Sequence, residues 1–436
     1  MTFKMKQSFT LIVLILLVSA AAAQDRLVLD LREARKHALE YNKTLKNSGL
    51  ATDLAREKLK ETIAAGLPQI AGTMDYSNAM GAKISIRFNP DMPASEIPIR
   101  PQSNFNLQVN QLLFSGNYFV GIQLARLGAD LSQKSYEKTE QEVLAQVTDA
   151  YHLVLMSGEL LVLLQKNMDN LKEMYEKTAA LEKVGIIEMT DVDMLSVQIS
   201  SLQNAINSSE RQLEMARNML RLLVGVSAGT EMELSESLSQ VLTRANARAM
   251  GAAGMFNVQQ NLDFQLIQFQ EKLMEKQIQM QQANYLPTLV SFYTRTEKIL
   301  KPDFDMSPKN MIGLRLSIPV FSGGTRSSQV RQARIDLETT RNTKALLMEQ
   351  LEIQEKQLQF NLRNAMETYT NQVKNLDVSR RVYNNLKLKF EHGLISGLDL
   401  VNADNNYVKA ETDYISAVYQ VLSAQNELDK LYGQIK

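Results

Sequence analysis

Apolar residues recur at helical spacing over most of this chain and alternate with polar ones in a few short stretches. Leu31, Ala34, Ala38, Tyr41 and Leu45 predict a helix over Asp30 to Ala64, ended by Gly66-Leu67-Pro68. Ile70 to Ser77 reads as a short strand, and residues 78–103, rich in proline, asparagine and serine, as a long loop. Phe105, Leu107 and Val109 then interleave with Asn104, Asn106, Gln108 and Asn110, which predicts a strand over about 104–114. One apolar face and one amide-rich face fit a barrel wall with lipid outside and water inside, and equally a half-buried strand of a soluble sheet. Leu113-Phe114-Ser115-Gly116 closes it, and Asn117 to Val184 follows as one helix. Its stripe of Val147, Tyr151, Val154, Leu161, Met168, Leu171, Tyr175 and Thr178 steps by threes, fours and sevens, as in heptad packing. Val192 to Val224 is helical and stops at Gly225; residues 226–243 show no clear period; Ala245 to Ala283 is helical again. Strands are predicted over about 289–294 and 312–321, where Leu314, Leu316 and Ile318 alternate with Arg315 and Ser317. A helix after Phe321-Ser322-Gly323-Gly324 runs to Gly393, and a last one ends at Leu431-Tyr432-Gly433.

The pattern occurs twice: helix, Leu-Pro, strand, loop, strand, Phe-Ser-Gly, long helix, glycine tip, returning helix, glycine. Phe114 and Phe321 are 207 positions apart, while Gly185 and Gly393, Asp191 and Asp399, and Gly225 and Gly433 are each 208 apart. So steady an offset predicts an internal duplication, with residues 24–225 as the first repeat, 226–243 as a linker and 244–436 as the second. The tips near 185 and 393 read as turns of helical hairpins, with Asp191 and Asp399 placed to cap the returning helices. At 1.5 Å per residue Asn117 to Val184 spans about 100 Å, Val192 to Leu223 about 48 Å and Arg244 to Ala283 about 60 Å, so two shorter helices would match each long one. The expected product is a column of helices with β-hairpins at one end and helical tips at the other. Four strands cannot close a barrel, and open edges are not tolerated in lipid, so membrane-embedded hairpins would require several copies to pool their strands in a ring.

Composition narrows the classes. There is no cysteine, which excludes disulfides, thiolate metal sites and a cysteine nucleophile, and the three histidines His37, His152 and His392 lack ligand spacing. The 48 basic and 48 acidic residues balance, which argues against charge-driven nucleic-acid binding. Lys4 and Lys6, apolar Phe9 to Val18 and small Ala21-Ala22-Ala23 predict a secretory signal over residues 1–23, with the mature chain starting near Gln24. No later segment shows a long uncharged apolar run, so an exported protein without a transmembrane helix is expected, either soluble or of the outer-membrane β type.

Leu67-Pro68 and Leu286-Pro287 before the first strands, Phe114-Ser115-Gly116 and Phe321-Ser322-Gly323-Gly324 after the second, and the two tips are each short motifs. In this order, twice, they resemble the TolC-like outer-membrane efflux channel proteins over the whole mature chain. The resemblance implies a mainly α fold with a small β part. A homotrimer would share a twelve-stranded β-barrel in outer-membrane lipid and form a twelve-helix α-helical barrel across the periplasm. In that family the tips dock onto a periplasmic adaptor (membrane fusion) protein, which joins an inner-membrane pump. Val184-Gly185-Ile186 and His392-Gly393-Leu394 occupy those docking positions. The family's periplasmic gate maps onto Asp399, Asn402, Phe390, Ile395, Thr190 and Asp191. Asp399 matches a ring aspartate, Asn402 stands where a second would be, Ile395 replaces a linking arginine and Phe390 a hydrogen-bonding tyrosine. These departures imply an apolar closure; an Asp399 ring would still favour cations at the entrance, and helix capping by Asp191 and Asp399 is compatible with that role.

The expected function is a passive, trimeric exit duct of a tripartite efflux or type I secretion system, gated at the tips, with no cofactor, metal or nucleic acid. No phosphate-cradling glycine loop offers a drive of its own. The alternative is a non-channel periplasmic coiled-coil adaptor or scaffold, against which the duplicated strand pairs count. An enzyme is not expected, because Asp191 and Asp193 lie at a helix start without a base, nucleophile or metal cluster beside them. The 21 methionines are scattered along helix seams, where methionine fills gaps, and do not identify a cargo.

Overall fold

A computed structural model of the chain describes residues 27–87, 93–251, 256–300 and 307–435; the predicted secretory segment lies outside them. In chain order the elements are β1 (Leu27–Leu29), α1 (Leu31–Tyr41), α2 (Lys43–Ala64), β2 (Gln69–Ser77), β3 (Lys83–Ile86), β4 (Ser95–Pro98), β5 (Gln102–Ser115), α3 (Gly116–Lys183), α4 (Met189–Val224), β6 (Met232–Leu234), α5 (Leu238–Gly251), α6 (Leu262–Ala283), β7 (Thr288–Leu300), β8 (Asn310–Ser317), α7 (Thr325–Glu391) and α8 (Gly397–Leu431). The chain is mainly helical. It divides into a first unit of Met1–Ser48, Tyr136–Phe264 and Leu347–Lys436 and a second of Gly49–Ser135 and Gln265–Leu346.

Several boundaries differ from the sequence prediction. The helix expected over Asp30 to Ala64 breaks at Asn42, whose backbone is extended at ψ 124°. The buried Asn42 side chain accepts from Leu45 N–H at 3.0 Å and donates to the Leu223 carbonyl at 2.7 Å, so it ends α1 and caps α2 at once. The helix expected over 244–283 is two helices. α5 begins inside the stretch that shows no period, and Asn261 Oδ1 starts α6 by accepting from Asp263 N–H at 3.0 Å and Phe264 N–H at 3.2 Å. The expected loop 78–103 holds a short antiparallel ribbon pairing Lys83–Ile86 with Ser95–Pro98, an edge position that tolerates proline. β7 runs on to Leu300, paired with β5, and β8 stops at Ser317, two residues before Pro319 removes a donor. α3 also contains an 18-residue window of mean hydropathy 1.4, although Asp149 and Glu159 keep its most apolar stretch from being uncharged. Val147, Ala150, Tyr151 and Val154 of α3 are core residues of the first unit, so much of this helix's apolar surface is spent on packing.

In the first unit β1 and β6 pair in parallel, Leu27 opposite Met232 and Leu29 opposite Leu234, a contact between segments some two hundred residues apart that no local pattern announces. Asp30 and Glu33 form a capping box for α1, with Glu33 N–H 2.6 Å from Asp30 Oδ1 and Asp30 N–H 3.0 Å from Glu33 Oε2. The core gathers Ala34, Ala38, Leu45, Val147, Tyr151, Leu220, Val224, Val418 and Leu422. Gly225 closes α4 in the left-handed conformation at φ 82°. A Cβ there would lie 2.4 Å from the Tyr41 carbonyl oxygen, so the missing side chain is what lets the ends of α1 and α4 meet.

The second unit carries an antiparallel sheet in the order β2-β5-β7-β8. Asn104, Asn106, Gln108 and Asn110 of β5 stand opposite Asp75, Thr73, Ala71 and Gln69 of β2, which continues the polar face across the strands. The other face is largely apolar, with Arg295 and Glu297 paired on it toward the far end of β7. Ile312, Leu314, Leu316, Ile318 and Val320, in β8 and just beyond it, are all between 58 and 90 % exposed. β2 and β8 each have a single neighbour in this sheet, which leaves both outer edges open.

Gly225→Ala is expected to destabilise the first unit by about 1–3 kcal/mol, since it combines a strained φ with a backbone clash. Thermal unfolding followed by circular dichroism should show a lowered Tm. Gly128→Ala, which meets no atom within 4 Å, should leave it unchanged or slightly raised.

Candidate functional site at the helical tips

The two tips are built alike. α3 ends with Gly185 at φ 75°, where Gly185 N–H donates to the Glu182 carbonyl at 2.8 Å and Ile186 N–H to the Leu181 carbonyl at 3.0 Å. α7 ends with Gly393 at φ 68°, where Gly393 N–H donates to the Phe390 carbonyl and Leu394 N–H to the Lys389 carbonyl, both at 2.8 Å. Both are glycine-terminated caps in which the residue after the glycine reaches back five positions to satisfy an otherwise free carbonyl. That geometry turns the following apolar side chain outward. Val184, Ile186 and Leu394 are 68, 67 and 71 % exposed, and His392 and Gly393 are exposed beside them.

The returning helices start differently. At the second tip Ser396 is the N-cap of α8 and Asp399 the third helical residue. Asp399 N–H donates to Ser396 Oγ at 3.2 Å, while Ser396 N–H and Oγ–H reach Asp399 Oδ2 at 3.3 and 2.7 Å. Asp399 therefore supports the cap that the sequence places on it, one turn inside the helix, and stays exposed. At the first tip Glu188 caps α4 without a side-chain bond, Thr190 Oγ1 donates to the Glu188 carboxylate at 3.1 Å, and Asp191 lies in the first turn, where its charge suits the helix dipole.

Phe390 and Ile395 are half-buried against one apolar cluster of Met168, Leu171, Met174, Leu195, Leu202, Tyr383, Leu400 and Val401, drawn from α3, α4, α7 and α8. The two hairpins thus share a core, and Gln198 Nε2 adds a hydrogen bond to Asn405 Oδ1 at 2.6 Å. Phe390 and Ile395 are brought together, and Asp399 and Asn402 lie exposed on α8. Among the described residues no hydrogen bond or ion pair joins Thr190 or Asp191 to any of these four. A groove of about 420 Å³ between the hairpins is lined by Met174, Lys177, Leu181, Tyr383, Phe390 and Leu400.

One residue of this core escaped the sequence reading. Asp404 is 2 % exposed and lies within α8, four residues after Leu400. With its amide turned to donate, Asn167 Nδ2 is 3.2 and 2.8 Å from the two carboxylate oxygens. Burial pushes the Asp404 carboxyl up to about 6; the bond from Asn167, nearby Lys387 and a bond from Tyr383 oppose the rise, and Glu411 adds to it. Burial also raises Tyr383, to about 12, with Asp404 as the next cause, and its ring stacks on Tyr407 with centroids 5.4 Å apart. The signal was present in the pattern: an aspartate on the same helical face as Leu400, where the heptad calls for an apolar side chain. Elsewhere in the first unit, burial lowers His152 to about 4, with Arg35 adding to the shift and Glu236 opposing it; both ring nitrogens are unpartnered.

These two groups act with opposite sign. Asp404 has a folded value above its ordinary 3.8, so its contribution is full below that pH and is lost as pH rises through about 6. His152 has a folded value below its ordinary 6.5, so stability falls as pH drops from there toward about 4. Hydrogen-exchange protection of the tip segments near residues 167, 383 and 404 is therefore expected to be higher at pH 5 than at pH 7.5 after correction for intrinsic rates, by about 2 kcal/mol at most. In Asp404→Asn it should be high at both. Equal protection of the native tips at the two pH values would contradict the assignment to Asp404.

The sequence model described as "Outer membrane efflux protein" matches residues 34–226 and 258–434. The chain is 24 % identical to the outer membrane protein TolC of Salmonella enteritidis over 70 % of its own length and 62 % of that protein's. It is 22 % identical to TolC of Escherichia coli (strain K12) over 93 % of its own length and 82 % of that protein's. Among solved structures, the Campylobacter jejuni CmeC outer membrane channel superposes with a TM-score of 0.75 at 16 % identity, covering 93 % of this chain and 85 % of that one. At that identity the likeness speaks for the fold.

Proposed function

The chain belongs to the outer membrane efflux protein family, and we propose that it works as the passive outer-membrane exit duct of a tripartite efflux or type I secretion system. The single observation that carries the channel reading is the exposed apolar band Ile312, Leu314, Leu316, Ile318 and Val320 opposite a polar strand face. The neighbouring strand β7, Thr288–Leu300, is thirteen residues, long enough to cross a bilayer at a tilt. In water such a band would be a liability; in lipid it is the outer wall of a barrel.

Three copies would contribute twelve strands, the open edge of β8 in each pairing with β2 of the next and leaving no unsatisfied backbone in lipid. Residues 24–225 and 244–436 act as two equivalent repeats about the linker 226–243. The tips face the periplasm. Val184, Gly185, Ile186, His392, Gly393 and Leu394 form the surface that an adaptor protein covers, and exposure of the three apolar side chains supports this. The gate combines Asp399, Asn402, Thr190 and Asp191 at the exposed rim with Phe390 and Ile395 behind it. Because Phe390 and Ile395 pack within one protomer, they hold its two hairpins together, and opening would separate those hairpins. An inner-membrane pump supplies the energy. The alternative of a soluble adaptor or scaffold leaves the exposed strand band without a partner.

Two measurements test this. Leu314→Arg places a charge on the lipid face and is expected to impair assembly into membranes, at a depth-dependent cost of up to about 2–4 kcal/mol per copy; a variant that floats with outer-membrane vesicles as a trimer as fully as the native protein would sink the barrel. Single-channel recording in planar bilayers then addresses the tips. Asp399→Asn should reduce cation preference, while Ser396→Ala, which breaks the same cap and keeps the charge, should retain it. Equal selectivity in both variants would reduce Asp399 to a capping residue.

A further inference from the structure

The polar strand face carries one charge that the duct needs for none of its assembly or gating. Arg315 lies between Leu314 and Leu316, inside the apolar band, and its parity places it on the opposite face. A guanidinium at that depth must meet water, which on the channel reading means the barrel lumen. The register puts it opposite Val290 of β7, and Val290 in turn opposite Leu112 of β5. Phe292, two residues along β7 on the same face, lies under the guanidinium, whose carbon is 5.6 Å from the ring centroid. Gly313 faces that ring, and a Cβ at Gly313 would sit 2.6 Å from Phe292 Cζ. The glycine therefore makes the room that the ring occupies beside the cation.

The remainder of this face is of a different kind. Asn104, Asn106, Gln108 and Asn110 of β5 and Thr294 and Thr296 of β7 line it with neutral amides and hydroxyls. Among the described residues of the four strands, the other charges on the face are Asp75 and Lys298, which stand on either side of Asn104. Lys298 is eight residues from Val290 along β7, roughly 26 Å at strand spacing. Arg315 thus has an aromatic ring beneath it and aliphatic side chains beside it, with no carboxylate of this face near its level. Stacking covers the flat side of a guanidinium and leaves its fork of N–H donors free in the plane, the geometry that receives a carboxylate, sulfonate or phosphate.

We propose that Arg315, Phe292, Val290 and Leu112 form a lumenal binding collar for organic anions with an aromatic or bulky apolar body. The guanidinium takes the anionic group, and the ring and aliphatic side chains take the body. The collar rests on the barrel reading above, and in a trimer it occurs three times around one lumen, where low-dielectric walls strengthen the attraction for anions. It would select among cargoes of the duct, independently of the cation preference at the tips.

The test uses the full chain in lipid nanodiscs, with oligomeric state measured by cross-linking on the same samples. Saturable binding of 2-naphthalenesulfonate is measured by fluorescence and compared with inorganic sulfate and with 2-naphthyltrimethylammonium. The native protein should bind the naphthalenesulfonate at least tenfold more tightly than either comparison ion. Arg315→Gln should weaken that binding at least tenfold, Phe292→Leu should weaken it several-fold, and Arg315→Lys should keep part of it. Embedded trimers whose affinity is unchanged by Arg315→Gln would overturn the collar and leave the duct standing. Equal affinity for sulfate and naphthalenesulfonate would overturn it as well, since the apolar half would then contribute nothing. A protein that neither inserts nor trimerises, and binds no anion, would overturn the collar together with the barrel.

Discussion

An unpaired backbone N–H or C=O in hydrocarbon costs several kcal/mol, and this is the constraint on which the molecule depends. The sheet β2-β5-β7-β8 has two open edges and one exposed apolar face, so the protomer cannot satisfy itself in either solvent. Water penalises the Ile312 to Val320 band, and lipid penalises the edges. Association edge to edge removes both penalties together. The chain therefore commits its hydrophobic surface in two ways. The helices of the first unit bury theirs around Tyr151, Leu220 and Val418, while the strands leave theirs exposed.

The helical part solves a related problem, how to end long helices cleanly and send the chain back. Four glycines, Gly185, Gly225, Gly393 and Gly433, take left-handed φ values between 68 and 82°. In each case the next residue's N–H reaches back five positions to a carbonyl. These termini are built alike, and Gly185 and Gly393, like Gly225 and Gly433, lie 208 positions apart. Positions at that offset are not equivalent in what they hold. Asp404 is buried in the shared tip core, whereas its counterpart 208 positions earlier, Ser196, is exposed. A buried carboxyl held by Asn167 and Tyr383 makes the second hairpin's packing sensitive to protonation, and nothing at Ser196 gives the first hairpin the same property.

Charge is used sparingly and by location. The polar strand face is mostly uncharged amides and hydroxyls, which wet a passage without favouring either sign of ion. Arg315 departs from that near one end of the sheet, and Asp399 and Asp191 add the opposite sign at the tips.

The sequence by itself determined the long helices, the strands β2, β5, β7 and β8 and the tips, because each rests on local periodicity or on a residue type with few conformational options. Glycine at a left-handed cap, proline beside a strand end and alternation along β5 can all be read without knowing what lies across from them. The tip residues were legible for the same reason, and Ser396 was missed as the true cap only because Asp399 satisfies the same pattern three residues later. What the tertiary structure alone decided depends on partners distant in sequence. Asn42 breaks a helix because the Leu223 carbonyl is waiting for its amide, β1 exists because β6 pairs with it, and Phe390 and Ile395 point into a core made by four helices. Asp404 is buried, and Arg315 lies over Phe292, because folding brings together residues that the chain keeps far apart, and periodicity along one element says nothing about the chemistry of the element it will meet.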